Sequence, residues 1–264
     1  MRYAVGDIHG CLDELKKTLD IIGFSDADQL FGVGDFCDRG TQNLEVLRFL
    51  MEMKNFKSVF GNHDIWPYQM LVPSQRPPED EYDWVLDTWF GNGGYRTMDA
   101  LLGMTEKEEG KKIAGWLENL PLFIFLDDVI ITHNPAPLVF HDFDRLKDMN
   151  MGQILAGRYC EKDYDSMFWD RRVINSIQDN RPDNSPVPVE AFHGVTGGKL
   201  LVCGHTPVLE GPLYDKDFNL VNIDTGAFVA RKRDWYTDGR LTVLNLDTLQ
   251  WFGSDGSKGK LGRI

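Results

Sequence analysis

Six short apolar runs in this chain each end in a polar turn: RYAV leads into GDIHG, QLFGV into GDFCDRG, KSVF into GNHD, DVIIT into HN, KLLVC into GHT and NLVNI into DTG. Apolar runs of this length bounded by turn residues are strand candidates. The first three turns are evenly spaced, with 28 positions from Asp7 to Asp35 and 27 from Asp35 to Asn62, close to the roughly 30 residues of a βαβ unit. Between the first two, Leu12, Leu15, Leu19 and Ile22 mark one helical face that Gly23 can terminate; Leu44, Leu47, Leu50 and Met51 repeat the design. Crossovers of this kind make the strands parallel, and functional groups gather at the carboxyl ends of parallel strands. The spacing therefore predicts an α/β fold in which Asp7, His9, Asp35, Asn62 and His63 share one rim.

The remaining sequence is read as part of the same single domain, residues 1–264, since 42% hydrophobic content is enough for one large core. From Trp66 to Leu120 a proline-rich interruption, helical patterning and the cluster GNGG predict a mainly helical insertion, 66–120. Ser176 to Gly194 has loop composition, and the end, residues 253–264 (GSDGSKGKLGRI), reads as a flexible tail. A net charge of -13 argues against a general nucleic-acid or membrane-surface binder, which would display basic patches. The amino terminus shows neither a signal peptide nor a membrane anchor, so a cytoplasmic location is expected. Cys11, Cys37, Cys160 and Cys203 form no CxxC pair and are expected to be reduced packing residues.

Together the turns offer two carboxylates (Asp7, Asp35), three imidazoles (His9, His133, His205) and one amide (Asn62), with Asp38, Arg39 and His63 beside them. A lone aspartate at a strand end is ordinarily a turn residue, but six such turns in one chain leave that reading little room. Mixed nitrogen and oxygen ligands suit divalent Mn, Fe or Zn better than Ca or Mg. Six ligands exceed what one metal with an open position needs, and a carboxylate can bridge, so two divalent metal ions are the economical reading. Such a centre would give an acidic protein a local trap for anions. His141 and His193 follow no strand and take the structural reading. No cysteine has an arginine six positions on, as a cysteine-nucleophile phosphatase requires, and neither HExxH nor GxSxG occurs.

GDIHG, GDFCDRG and GNHD in order, then HN and GHT, resemble the signature of the metallophosphoesterases that include the phosphoprotein phosphatases acting on serine and threonine. With FWDRR before a long loop and IDTGA near the end, the chain is most similar to the compact bacterial and phage members, from about Arg2 to Leu246. The resemblance implies the calcineurin-like fold, mixed sheets packed as a sandwich flanked by helices. It also implies that Asp7 and His9 hold one metal, that Asn62, His133 and His205 hold the other, and that Asp35 bridges both. Arg39 would bind substrate phosphate, Arg171 would join it through the family's Trp-x-Arg pattern, and Asp38 would keep His63 charged as a general acid. The implied enzyme is a protein serine/threonine phosphatase with two metals, Mn first and Fe or Zn as others. Hydroxide would attack phosphorus directly, with a phosphorylated protein or small phosphoester as substrate. The alternative is a symmetrical dinucleoside tetraphosphate hydrolase, whose family shares the metal motifs but typically lacks the second aspartate of GDxxDRG. Here Asp64 replaces the more usual Glu, HN replaces His followed by a small residue and Gly, and Cys37 replaces an aliphatic residue.

Overall fold

Arg2–Val5 (β1) pairs in parallel with Gln29–Gly32 (β2) across the helix Leu12–Ile22 (α1), and β2 pairs in parallel with Phe56–Ser58 (β3) across Asn43–Glu52 (α2). This computed structural model describes residues 1–76, 78–157, 167–179, 188–229 and 239–262. Helix α1 buries Leu12, Leu15 and Leu19 and stops at Gly23, whose φ of 64° is left-handed. Thr242–Asn245 (β9) runs antiparallel to β1 on its other side, followed by Gln250–Gly253 (β10) and Lys258–Lys260 (β11), giving a six-stranded sheet ordered β11-β10-β9-β1-β2-β3. A second sheet holds Phe123–Phe125 (β4), Val129–Thr132 (β5), Leu200–Cys203 (β6), Leu213–Asp215 (β7) and Leu220–Asn222 (β8), ordered β4-β5-β6-β8-β7, with β5, β6 and β8 parallel.

Alternation along the strands explains why the two sheets stack. Ala4, Phe31, Val129, Ile131, Leu200 and Val202 belong to one buried cluster fed by both sheets. Their neighbours Tyr3, Val5, Leu30, Ile130 and Leu201 belong to another, shared with Leu15 and Leu47 of the helices. Successive side chains of a strand point to opposite faces, so strands apolar at every position bury both faces, one against the other sheet and one under helices. Each fully buried aliphatic side chain contributes about 1.5–3 kcal/mol. The result is an α/β fold of two mixed sheets flanked by helices.

Residues 66–120 continue Asn62–Leu71 (α3) into Glu79–Gly91 (α4), Tyr95–Leu102 (α5) and Lys107–Glu118 (α6). Helices Ala136–Phe140 (α7), Phe143–Leu146 (α8), Met151–Ala156 (α9), Arg172–Asp179 (α10) and Val189–Thr196 (α11) follow. Two expectations from composition fail. Much of 176–194 is helical, because Val173 and Ile174 of α10 and Phe192 of α11 are buried; residues 180–187 lie outside the described residues, as does Cys160. The stretch 253–264 is no loose tail where described: β11 pairs antiparallel with β10, and the Asp255 carboxylate accepts from Ser257 N–H at 2.9 Å in the turn between them. Gly, Ser and Lys there belong to a hairpin turn and an edge strand, where lysine discourages further pairing. Among the described residues no helix is long and apolar enough to cross a membrane.

Candidate metal centre

The turns that leave β1, β2 and β3 are laced into one another. Ile8 and His9 N–H donate to the Asp35 carbonyl at 3.0 and 2.9 Å, and Gly10 N–H donates to the Phe36 carbonyl at 2.8 Å. Asp64 closes the third side, its Oδ2 accepting from Asp35 N–H at 2.9 Å and Gly61 N–H at 2.8 Å, its Oδ1 from Phe36 N–H at 2.9 Å. At the first turn of α3, His63 N–H donates to Asp35 Oδ1 at 2.9 Å, where a helix N-terminus favours negative charge. Gly61 cannot be replaced cheaply, because a Cβ there would lie 2.1 Å from Asp35 Oδ1. The second sheet joins through His205 N–H, 3.0 Å from Asp7 Oδ2, and through Gly204 N–H, 3.0 Å from the His133 carbonyl.

This convergence strains the backbone. Among the described residues seven non-glycine positions have positive φ, and five of them are His9, Asp35, Asp38, Arg39 and His205. A left-handed non-glycine residue costs of order 1–3 kcal/mol and persists only where its surroundings over-determine it, which is typical of functional sites.

The side chains present lone pairs to common points. Asp35 Oδ2 is 3.5 Å from His9 Nε2 and Asp35 Oδ1 is 3.5 Å from His133 Nε2, so one carboxylate faces two imidazoles. His133 donates Nδ1–H to the Val33 carbonyl at 2.9 Å, leaving Nε2 as an acceptor. That nitrogen lies 2.8 Å from Asn62 Oδ1, and His205 Nδ1 lies 2.9 Å from the same oxygen and 3.2 Å from His133 Nε2. At most one proton, on His205 Nδ1, is shared among these three atoms, while Asn62 Nδ2 is buried without a partner. Converging acceptors, with the outer nitrogen of His133 anchored to a carbonyl, are what a bound cation requires. The same geometry gives two buried clusters joined at Asp35: His9, Asp35 and His63, and Asp7, Asp35 and His133. These are two candidate sites for divalent cations, and the donor set of imidazole, carboxylate and amide fits Mn, Fe or Zn.

Beside them lies a proton-bearing pair. His63 Nδ1 donates to Asp38 Oδ2 at 2.7 Å, while Arg39 reaches over the site with Nη1 at 2.7 Å from His9 Nε2 and Nη2 at 3.0 Å from His63 Nε2. A guanidinium only donates, so both Nε2 atoms accept and both rings carry Nδ1–H, His9 donating its own to the Cys37 carbonyl at 2.8 Å. The Asp38 carboxylate also accepts from Thr97 Oγ1 at 2.6 Å and from Trp89 Nε1 at 2.9 Å.

Burial sets the electrostatics. It pushes Asp35 up to about 7 against the pull of Arg39, and Asp38 up to about 7 against hydrogen bonds from Thr97 and Trp89. Asp7 rises through burial and then the charges of Asp224 and Asp35. His133 falls to about 4 through burial, and His9 and His63 fall well below the usual imidazole range through burial and then Arg39. Asp38 does pair with His63 as expected, while burial and the adjacent guanidinium of Arg39 work against the charged form of that imidazole.

The sequence profile of the family described as calcineurin-like phosphoesterase matches residues 3–209. The chain belongs to that family of metal-dependent phosphoesterases. It is 34% identical, over 95% of each chain, to "Bis(5'-nucleosyl)-tetraphosphatase, symmetrical" of Erwinia tasmaniensis. It is 30% identical to "Serine/threonine-protein phosphatase 2" of Salmonella typhimurium, over 86% of this chain and 87% of that one. Among solved structures it resembles a cold-active protein-tyrosine phosphatase of a psychrophilic Shewanella, with a TM-score of 0.62 and 18% identity over 99% of this chain and 80% of the other. The last likeness concerns the fold alone.

Within the family frame, the structure brings the residues expected at the rim together. Asp7 stands with Asp35 and His133, His9 stands with Asp35 and His63, and Asn62 Oδ1 faces both His133 and His205. Of the two arginines in FWDRR, Arg172 bonds Asp170 at 2.7 Å and lies over the Phe140 ring at 3.9 Å, whereas the charge of Arg171 acts on Asp35, His63, His133 and His205. His193 lies elsewhere, on the Asp217 carbonyl at 2.7 Å. Asp64, noted in the sequence only as a departure from the usual Glu, is a brace between turns. Three residues escaped the sequence reading: Trp89 and Thr97 hold Asp38, and Asp224 is a buried carboxylate raised to about 6 by burial. Asp224 alone had a visible signal, because DTG follows a strand as the other turns do.

Proposed function

We propose that this phosphoesterase hydrolyses phosphomonoesters, with phosphoserine and phosphothreonine in proteins as the substrate class. The buried pair of Asp38 and His63, 2.7 Å apart with His63 Nε2 turned to Arg39, carries this reading. A serine or threonine alkoxide is strongly basic and leaves only with a proton, which a positioned imidazole supplies. A nucleoside diphosphate is a weakly basic leaving group and needs no such donor. Two divalent cations held by Asp7, His9, Asp35, Asn62, His133 and His205, Mn first with Fe or Zn as others, would make hydroxide available by lowering the pKa of water to about 7 and would neutralise phosphoryl charge.

The side chains then have distinct duties. Arg39 and Arg171 orient the phosphate oxygens. A phosphate dianion draws the Arg39 N–H groups from His63 Nε2 and adds negative charge beside it; both changes raise the affinity of that nitrogen for a proton, which it takes from solvent. As the P–O bond breaks, its electron pair passes to the leaving oxygen, and His63 Nε2 gives that oxygen the proton.

A second reading is cleavage of a dinucleoside tetraphosphate at the centre of its chain. Whole-chain similarity favours it over the first: 34% identity over 95% of both chains against 30% over 86% and 87%. Assaying a phosphoserine peptide, para-nitrophenyl phosphate and diadenosine tetraphosphate side by side with added Mn separates the two. Turnover of both monoesters is expected, and exclusive cleavage of the dinucleotide would end the first reading.

A further inference from the structure

Asp38 follows β2, yet the groups that fix its carboxylate come from the helical insertion, 51 and 59 positions further along. Trp89, near the end of α4, donates Nε1–H at 3.0 and 2.9 Å to the two carboxylate oxygens. Thr97, in the first turn of α5, accepts the Asp38 backbone N–H at 3.0 Å and donates its own hydroxyl to Asp38 Oδ1 at 2.6 Å. The hydroxyl proton thus has one direction left, toward the carboxylate. All four groups, Asp38, His63, Trp89 and Thr97, are buried. The turn between the two helices also grips Arg39, whose N–H donates to the Gly93 carbonyl at 3.0 Å. Gly93 has φ 97°, and a Cβ there would lie 2.8 Å from Arg39 Cγ. Asp38 and Arg39 both hold left-handed backbone, φ 71° and 63°, a conformation that needs outside support.

We infer that Trp89 and Thr97 are positioning residues for proton donation: they saturate Asp38 except for the acceptor facing His63, and so fix that ring with Nδ1–H toward Asp38 and Nε2 toward the leaving group. The insertion is then part of the acid machinery rather than a cover over the sheet edge. This inference rests on the proton-donor reading above. Its reach is limited to leaving groups that need a proton, which makes it separable from a general role in folding.

The test uses the full chain with added Mn and a pair of aryl phosphates, phenyl phosphate with a poor leaving group and 2,4-dinitrophenyl phosphate with a good one. Thr97→Val and Trp89→Phe are expected to lower kcat on phenyl phosphate roughly 10- to 100-fold, part of the about 10²–10⁴ that a positioned proton donor supplies, with KM little changed. Their kcat on the dinitrophenyl ester should stay near wild type, and Thr97→Ser should restore the phenyl ester reaction. With diamagnetic Zn in place of Mn, the imidazole ¹⁵N resonances of His63 give a readout independent of turnover: one Nδ1–H tautomer in the wild type, a mixture in Thr97→Val. Equal losses on both esters, or no loss on either, would overturn the inference. His63→Asn and Asp38→Asn tell its failure from that of the underlying reading. If these two variants keep phenyl phosphate turnover, proton donation itself is wrong and the inference falls with it. If they lose it while Thr97→Val does not, only the role of the insertion is wrong.

Discussion

The Asp64 carboxylate accepts the backbone N–H of Asp35 at 2.9 Å, so the turn after β3 holds the turn after β2 by a side chain buried out of water. Three backbone N–H groups, of Asp35, Phe36 and Gly61, depend on this one carboxylate. Asp64→Ala leaves all three buried without it, and each orphaned donor costs about 1–3 kcal/mol, partly recovered by relaxation. Urea unfolding should show a loss of about 2–4 kcal/mol. A variant as stable as the wild type would show that the turns hold themselves.

Asp35 faces His9 with one oxygen and His133 with the other. Asp35→Asn keeps the shape and removes the charge between the two clusters. Metal analysis after Mn loading should fall from two ions per chain to one or none, with turnover down by about 10² or more, since charge-assisted contacts are the strong ones. Unchanged metal content would contradict the bridging position.

The same carboxylate sets a pH dependence of known sign. In the folded chain burial keeps the Asp35 proton up to about 7, against 3.8 for an ordinary carboxyl. The folded state binds that proton more tightly than the unfolded state, so Asp35 costs no stability below roughly pH 4 and costs progressively more as the pH rises toward 7. With a chelator present, the stability of Asp35→Asn minus that of wild type should grow between those limits by about 2–4 kcal/mol and then level. A difference flat with pH would refute the cost of charging Asp35.

Arg171 and Arg172 are neighbours with different occupations, one acting on the site's electrostatics and the other tied to Asp170 and Phe140. Arg171→Ala should lower kcat/KM for a phosphomonoester about 100-fold, while Arg172→Ala should change it little and cost about 0.5–1 kcal/mol in unfolding. Steady-state kinetics on both variants decides it, and the reverse ranking would reassign the phosphate contact.

Much of the site was legible because its residues follow strands at regular spacing. Asp7, His9, Asp35 and Asn62 sit where the βαβ repeat places them, and the faces of α1 and α2 follow the leucine pattern. What escaped depends on distance and dryness. Trp89 and Thr97 reach Asp38 from helices whose periodicity speaks only of their own packing. The downward pull on the His63 imidazole follows from a burial that a one-dimensional pattern does not measure. Asp224 stood in a turn after a strand, but DTG also reads as plain turn chemistry. The final hairpin, built from Gly, Ser and Lys, has the composition of a tail and the pairing of an edge.

The two sheets contribute to the centre separately: Asp7, His9, Asp35 and Asn62 from one, His133 and His205 from the other. Ions seated among them would act as rivets through the seam of the sandwich. Any slip of one layer past its mate would then be felt first where phosphate sits, tying mechanical rigidity of the whole scaffold to turnover.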